Sequence, residues 1–379
     1  MDQEFTLMKF YSQSNRLTIP FGVNYSSEVR LGFHNIRLTV LSIYFIIDTL
    51  LNVILAIPGL LNEAQRIALG DIVLILFNVS ETRIAFFAQM IYRLSAATMF
   101  MNFCIDRNHS WLRDASEIFE KLKTRPLIKK VEKISKQNQR MAFLNTVFRT
   151  ILINITVFST SGWVIKKYPV HIWFSGILVC ELYSLLIPIV ESQFLIDLLT
   201  MCQIASSIFD DLNSSLKDLS QNISLETYLQ KFDLTCIFVN KVMSYIKRLF
   251  IVFFTINIVF LILMIWQALK PGNGLAHMVA MIGFGVMEFI MILLVSEFIG
   301  KIDRIAKYSA ESIYTKHILS NNNLQPKMIW KVRKYFSICW STTISFKFLG
   351  QPINPETSIK ITTIILTALA VVLNSSKDH

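Results

Sequence analysis

Few residues of this chain have both the types and the spacing that catalysis or metal binding requires. The six histidines are scattered with no H-E-x-x-H pair, and the five cysteines form no C-x-x-C pair, so the sequence predicts no metal site. Asp210-Asp211 lies in a polar helical stretch, where two adjacent carboxylates are more typical of a solvated face than of an acid/base pair. Neither a glycine-rich phosphate loop nor a nucleophile elbow occurs. The sequence therefore predicts neither an enzyme nor a bound cofactor.

Ionisable residues inside apolar segments are the stronger functional signal. Such residues are costly in a bilayer and usually face the interior of a helical bundle or water. Glu288, in the middle of an apolar run, is the first candidate for a functional charge. Glu81 and Arg83 are also candidates, but they could form an ion pair with a purely structural role. Glu191 is another candidate, and the alternative for it is a position near the cytoplasmic interface. The other candidates are Asp48 and Glu181.

A second group of candidates is aromatic or polar and falls near the predicted outer ends of the apolar segments. One interpretation is a belt of interfacial aromatic residues. The other is an outward-facing pocket that binds a small molecule with apolar walls and a few polar groups. The predicted pocket residues are Phe158, Trp163, Trp173, Trp266, Gln267, His277 and Glu288, with Tyr168 and His171 nearby.

Composition indicates which elements must position these residues. The chain has 379 residues, of which 53% are hydrophobic and only 17% are charged, whereas soluble domains have about 25% charged residues. This composition predicts an all-α, polytopic membrane protein. The net charge of +11 does not indicate nucleic-acid binding, because the basic residues are spread over the gaps between apolar segments.

Seven apolar segments are long enough to cross a bilayer, which takes about 20 residues of helix. The sequence predicts transmembrane helices at 36–57, 67–104, 141–165, 171–202, 249–269, 277–299 and 357–375. The N-terminus has no basic region leading into an apolar stretch, so the first of these segments is expected to direct membrane entry.

Charge in the connections predicts the orientation. Basic residues concentrate at 107–140 and 301–334, whereas the alternate connections carry only Arg66, Lys166-Lys167 and Lys270. Because positive loops stay in the cytoplasm, the N-terminus is predicted inside and the C-terminus outside. G-protein-coupled receptors have the opposite orientation, and the Asp106-Arg107-Asn108 triplet is only weakly similar to their D/E-R-Y motif.

The predicted organisation has four parts. A cytoplasmic N-terminus (1–35) precedes six transmembrane helices (36–299), which hold the pocket in their outer half and continue into cytoplasmic helices at 105–140 and 203–248. Cytoplasmic anchor helices follow at 300–348, including an amphipathic helix at 327–348, and the terminal helix spans 356–375. Apolar residues at helical spacing, such as Ile208, Leu212 and Leu216, support the cytoplasmic helices.

Two stretches resemble the insect chemoreceptor superfamily, in particular its gustatory receptor branch. Residues 193–216 begin with Gln-Phe and end in Leu212-Asn213-Ser214-Ser215-Leu216, similar to the exit of that family's fourth helix. The terminal helix is similar to the family's T-Y, five hydrophobic residues, Q-F motif. Here the frame is Thr367-Ala368, five apolar residues and Asn374-Ser375, so both aromatic residues are replaced by small ones.

The resemblance implies a ligand-gated, non-selective cation channel in the plasma membrane, opened by a small-molecule tastant. It implies a homo- or hetero-tetramer in which the terminal helix of each subunit lines one pore. On that helix one face presents Ile364, Thr367, Val371 and Asn374, at spacings of three and four residues. Four such faces would form a narrow apolar tube that gates by dewetting. The alternatives are an odorant-receptor-type subunit, a seven-helix receptor that signals through a cytoplasmic partner, and a transporter.

Overall fold

The computed structural model describes scattered positions between 43 and 57, then residues 59–71, 74–75, 110–160, 162–218, 225–268, 275–313, 315, 326–341, 347–348 and 350–375. Nearly all of these residues are helical, which confirms the all-α prediction. The predicted N-terminal segment 1–35, Glu81 with Arg83, and Asp106-Arg107-Asn108 lie outside the described residues.

The elements follow one another as helices with one short hairpin. Their bounds are α1 (Glu63–Ala68), α2 (Ser110–Leu122), α3 (Arg125–Thr160), α4 (Gly162–Lys167), α5 (Val170–Asp218), α6 (Leu225–Ala268), α7 (Leu275–Ile313), α8 (Pro326–Ser341), β1 (Lys347–Phe348), β2 (Gln351–Pro352) and α9 (Pro355–Ser375).

Four helices are far longer than a bilayer is thick. α3, α5, α6 and α7 contain 36, 49, 44 and 39 residues, which at 1.5 Å per residue gives about 54–75 Å against about 30 Å of hydrocarbon. Of these, α5, α6 and α7 each join a predicted transmembrane segment to the amphipathic stretch beside it without a break. α5 does so although Pro188 lies within it and removes one backbone hydrogen bond.

α3 and α5 pack side by side in opposite directions. As the residue number rises along α3, the number of its partner on α5 falls, which defines the antiparallel register. The polar contacts are Lys130 Nζ to Asp210 Oδ2 (2.9 Å), Asn138 Nδ2 to Thr200 Oγ1 (3.0 Å) and Asn145 Nδ2 to Ser192 Oγ (3.0 Å). Asp211 also accepts a hydrogen bond from Thr124 Oγ1 (3.2 Å), so Asp210 and Asp211 attach α5 to the start of α3.

α6 and α7 complete the bundle around an aliphatic core that includes several aromatic rings. Phe209 of α5 meets Phe232 of α6 edge-on at 6.1 Å, and Phe250 stacks on Phe254 at 5.4 Å. These four rings are buried, and burying one such side chain contributes about 1.5–3 kcal/mol. The core thus extends through the halves of α5 and α6 that the sequence assigns to the cytoplasm.

The amphipathic helix predicted at 327–348 is shorter in the structure. α8 ends at Ser341, and Lys347–Phe348 pairs antiparallel with Gln351–Pro352. Gly350 has a φ of +79° in the turn between the two strands, a conformation that glycine adopts without steric cost. The turn therefore interrupts the helical pattern before α9 begins.

Large apolar side chains are exposed along one band of the bundle. On α5 they recur every four residues at Val170, Phe174, Leu178 and Leu182, and α3 and α7 carry similar rows. Exposed apolar surface of this extent needs a covering of lipid or protein. Among the described residues, one stretch (Ile282–Ser312 of α7) is long and apolar enough to cross a membrane.

α1 packs closely against α5 at Gly176, the residue of α5 that has no side chain at this contact. A Cβ at position 176 would overlap the carbonyl oxygen of Ile67. The neighbouring Ser175 donates to the Ala68 carbonyl (2.9 Å). The α1–α5 contact therefore requires glycine at position 176.

Gly176→Ala should destabilise the protein by roughly 1–3 kcal/mol, because the added methyl group forces α1 away from α5. Thermal unfolding of the purified protein in detergent, followed by tryptophan fluorescence, measures the effect. Gly162→Ala is the matched control, since a Cβ there meets nothing within 4 Å. An equal midpoint for Gly176→Ala and wild type would contradict the close contact.

Candidate functional site: a buried charge cluster and the α7–α9 junction

A row of buried polar residues runs along the face of α3 that meets α5. Asn138, Asn145 and Arg149 follow one another at intervals of seven and four residues, which keeps them on one side of the helix. The first two donate to hydroxyl oxygens of α5, as described above. The row ends at Arg149, which has carboxyl groups of two different helices as its neighbours.

Arg149 forms ion pairs with Glu191 of α5 and Glu288 of α7. The three residues are only 4%, 5% and 1% exposed, so water does not screen their interaction. Buried guanidinium and carboxylate groups are tolerated when they pair, because each loses its hydration on burial. This charge cluster, defined as Arg149, Glu191 and Glu288, links α3, α5 and α7 at one level of the bundle.

The charge cluster carries two carboxyl groups against one guanidinium. Glu288 Oε2 and Arg149 Nε have no hydrogen-bond partner among the described residues. The electrostatic energy of such a group depends steeply on distance in a low-dielectric interior. A shift of α7 relative to α3 would therefore change the interaction of Glu288 with Arg149, which makes the cluster sensitive to helix movement.

One further contact connects α7 with the terminal helix. Ser296 Oγ and Ser358 Oγ are hydrogen-bonded at 2.6 Å, and both residues are fully buried. A Cβ on Gly300 would lie 3.1 Å from the Ile353 carbonyl oxygen, so the backbones approach closely there. Asn354 caps α9, its Oδ1 accepting from the Thr357 amide (2.8 Å). We call this contact the α7–α9 junction.

Two of the four predicted pore residues, Ile364 and Thr367, lie on the side of α9 away from that junction. Ser358 and Thr362 are buried, whereas Ile364 is 68% exposed and Thr367 is exposed. Val371 and Asn374 belong to the helix, but their side chains lie outside the described residues. One face of α9 is thus attached to α7, and the opposite face is uncovered over the part that the structure describes.

The predicted pocket residues are distributed over different surroundings. Trp163 and Trp173 both pack against a small apolar cluster that includes Ile67, Val157 and Cys180, and Trp163 Nε1 donates to the Ile75 carbonyl (3.4 Å). Phe158 is 72% exposed on the periphery. The side chains of Trp266, Gln267 and His277 lie outside the described residues.

Glu288 is not part of the apolar cluster around the two tryptophans. Its partner Arg149 lies eight residues from Val157 along α3, or about 12 Å. The structure thus assigns Glu288 to a charge cluster and brings only Trp163 and Trp173 together among the described pocket candidates.

Charges also surround the aromatic residues at this end of the bundle. Lys167 Nζ donates to both carboxylate oxygens of Glu63 (2.9 and 3.0 Å) and lies 5.8 Å from the centre of the Trp163 ring. The hydrogen bond from Lys167 lowers the pKa of Glu63, and the same bond raises the pKa of Lys167. The pKa of Tyr168 is raised chiefly by its burial.

Arg149 is the site residue that the sequence reasoning overlooked. The signal was available, because Arg149 is a charged residue eight positions into the apolar segment 141–165. The criterion that selected Glu288 therefore selects Arg149 too. Glu191, for which an interfacial position was the alternative, is buried beside it.

Neither the protein-family models nor the curated proteins compared with this chain match it. Within the described residues, no group of histidine, cysteine, aspartate and glutamate side chains could hold a metal ion.

Proposed function

We propose that this chain is one subunit of a ligand-gated, non-selective cation channel similar to the insect gustatory receptors. The observation that carries the proposal is the two-sided character of α9. One face is attached to α7 through Ser296 and Ser358, and the opposite face, with Ile364 and Thr367, is uncovered. In a tetramer, four such faces would line a pore with apolar and hydroxyl groups.

Seven membrane-crossing helices are part of the proposal, and two features support a position in the membrane for three of them, α3, α5 and α7. The exposed apolar rows of α3, α5 and α7 fall within the predicted transmembrane segments. The charge-cluster residues also lie at similar distances from the predicted cytoplasmic ends of the three segments. From the predicted cytoplasmic ends of these segments, Arg149 lies about 12 Å deep and Glu191 and Glu288 about 16 Å deep. Ionisable groups near the centre of a bilayer are expected to be paired inside the bundle.

The proposed mechanism links an outer pocket to the pore through α7. A small-molecule tastant binds near Trp163 and Trp173 and favours one arrangement of the outer helix ends. A ligand shifts this equilibrium only as far as its affinities for the closed and open states differ. α7 carries Glu288 in the charge cluster and Ser296 at the α7–α9 junction, so displacement of α7 would reach both. The pore helices then move apart and cations pass.

Cells that express this chain alone test the function. We expect at least one compound of a tastant panel to evoke cation influx, measured with a calcium indicator and by whole-cell current. Untransfected cells are the control. If the protein reaches the surface and no compound gives a response, the panel is repeated with a second chemoreceptor subunit co-expressed. The absence of cation influx in both experiments would contradict the proposed channel.

The orientation has a separate test. An epitope added after His379 should be accessible to antibody on intact cells, and an epitope before Met1 only after permeabilisation. The reverse pattern would contradict the proposed topology. It would also contradict the proposal that the C-terminal end of α9 lies at the outer surface.

A further inference from the structure

One face of α3 carries four basic residues in a line. Lys129, Lys133, Lys136 and Arg140 follow one another at intervals of four, three and four residues, which places them on the same side of the helix. All four are exposed. They extend over about 16 Å of helix. We call this set the basic stripe.

The same face of α3 continues beyond Arg140 as an exposed apolar surface. Phe143, Leu144 and Phe158 are 57%, 65% and 72% exposed, and Val147 and Ile151 lie between them. The face changes from charged to apolar within one helical turn. This gradient runs along the helix axis, whereas an ordinary amphipathic helix separates the two kinds of residue around its circumference. A helix that passes from the headgroup layer into hydrocarbon has this pattern.

The charge of the basic stripe is not used within the bundle. No ion pair joins its four residues to a carboxylate among the residues that the structure describes. The adjacent Lys130, by contrast, faces α5 and pairs with Asp210 at 2.9 Å. Glu132 is the acidic residue in the open groove that the stripe lines, so the groove keeps a positive excess.

We propose that the basic stripe binds the net negative headgroup of an anionic phospholipid in the cytoplasmic leaflet. The inference rests on the membrane placement proposed above. Each lysine or arginine near an anionic bilayer surface adds to the attraction, and Arg140 can present two N–H groups to one phosphate. Phe143 and Leu144, one turn further on, would contact the first methylene groups of the acyl chains. Charge and apolar surface are thus arranged in the order in which a phospholipid presents them.

Purified full-length protein in a neutral detergent allows a direct measurement. Binding of dioctanoyl phosphatidylserine, dioctanoyl phosphatidylcholine and inorganic phosphate is measured by native mass spectrometry. We expect wild type to bind the serine lipid at least about tenfold more tightly than the choline lipid. The variant K129Q/K133Q/K136Q/R140Q should lose this preference.

The matched control removes four positive charges from another helix. K327Q/K331Q/R333Q/K334Q on α8 should keep the preference to within about twofold, because it leaves the stripe intact. A milder variant, K133Q/R140Q, should lose part of the preference and serves if the fourfold variant does not fold. Equal loss in the α8 control, or binding of inorganic phosphate as tight as that of the serine lipid, would overturn the proposal.

Extraction of cell membranes with alkaline carbonate separates the two possible failures. Release of the wild-type chain into the wash would overturn the membrane placement, and the lipid site with it. Retention in the membrane combined with equal binding of serine and choline lipids would overturn the lipid site alone.

Discussion

Arg149→Met should destabilise the protein by about 3–5 kcal/mol, the largest effect that we expect from one substitution outside the hydrophobic core. The change removes the guanidinium that lies between Glu191 and Glu288 and leaves two buried carboxyl groups without a counter-charge. Their mutual repulsion and lost hydration cannot be relieved by water, because all three residues are at most 5% exposed. The thermal midpoint in detergent and the amount of monodisperse protein on gel filtration measure the loss.

Neutralising the carboxyl groups in the same background separates charge from packing. Arg149→Met combined with Glu191→Gln and Glu288→Gln should recover a substantial part of the lost midpoint, since the triple variant leaves no ionised group in the charge cluster. Arg140→Met is the matched control on the same helix, and its exposed side chain predicts a change within about 0.5 kcal/mol. Arg149→Met with a wild-type midpoint would show that the ion pairs contribute nothing to stability.

Ile364→Ser should open the proposed channel without ligand. A narrow apolar ring excludes water and thereby blocks ions, and a hydroxyl group in its place lowers the free energy of wetting. We expect the basal whole-cell current to rise at least about fivefold at equal surface expression, determined by biotinylation.

The control for this prediction lies on the same helix. Ile359 is also an exposed isoleucine, and five residues place it about 140° away around α9. Ile359→Ser should leave the basal current unchanged. An unchanged basal current in Ile364→Ser with a normal ligand response would place the gate elsewhere, whereas equal leak in both variants would indicate general loosening of the helix.

Part of the candidate site could be predicted because its signals are local. An ionisable residue within an apolar run stands out in any short window, which identified Glu288 and Glu191 and equally marks Arg149. Their pairing could not be predicted. The 3.6-residue period defines which residues share a face of one helix, but the rotation and axial position of one helix against another depend on side-chain packing.

Asp210 and Asp211 show the same limit of sequence reasoning. Their polar surroundings in sequence favour a solvated face, and Asp210 belongs to an ion pair with Lys130 that remains exposed to solvent. That their partners are Lys130 and Thr124 depends on how α5 packs beside α3. The helical pattern alone extends the amphipathic helix to Phe348. In the structure Lys347 and Phe348 belong instead to a two-stranded hairpin, whose turn contains Gly350.

The sequence by itself determined the helical class, the unbroken continuation of α5, α6 and α7 beyond their apolar segments, and the start of the terminal helix within two residues. These properties follow from hydropathy, periodicity and capping within one segment. Only the tertiary structure decided that Arg149 faces two carboxylates, that Gly176 admits the backbone of α1, and that Ser358 joins α9 to α7. Each of these contacts joins residues far apart in the chain, and their distances result from packing the whole bundle.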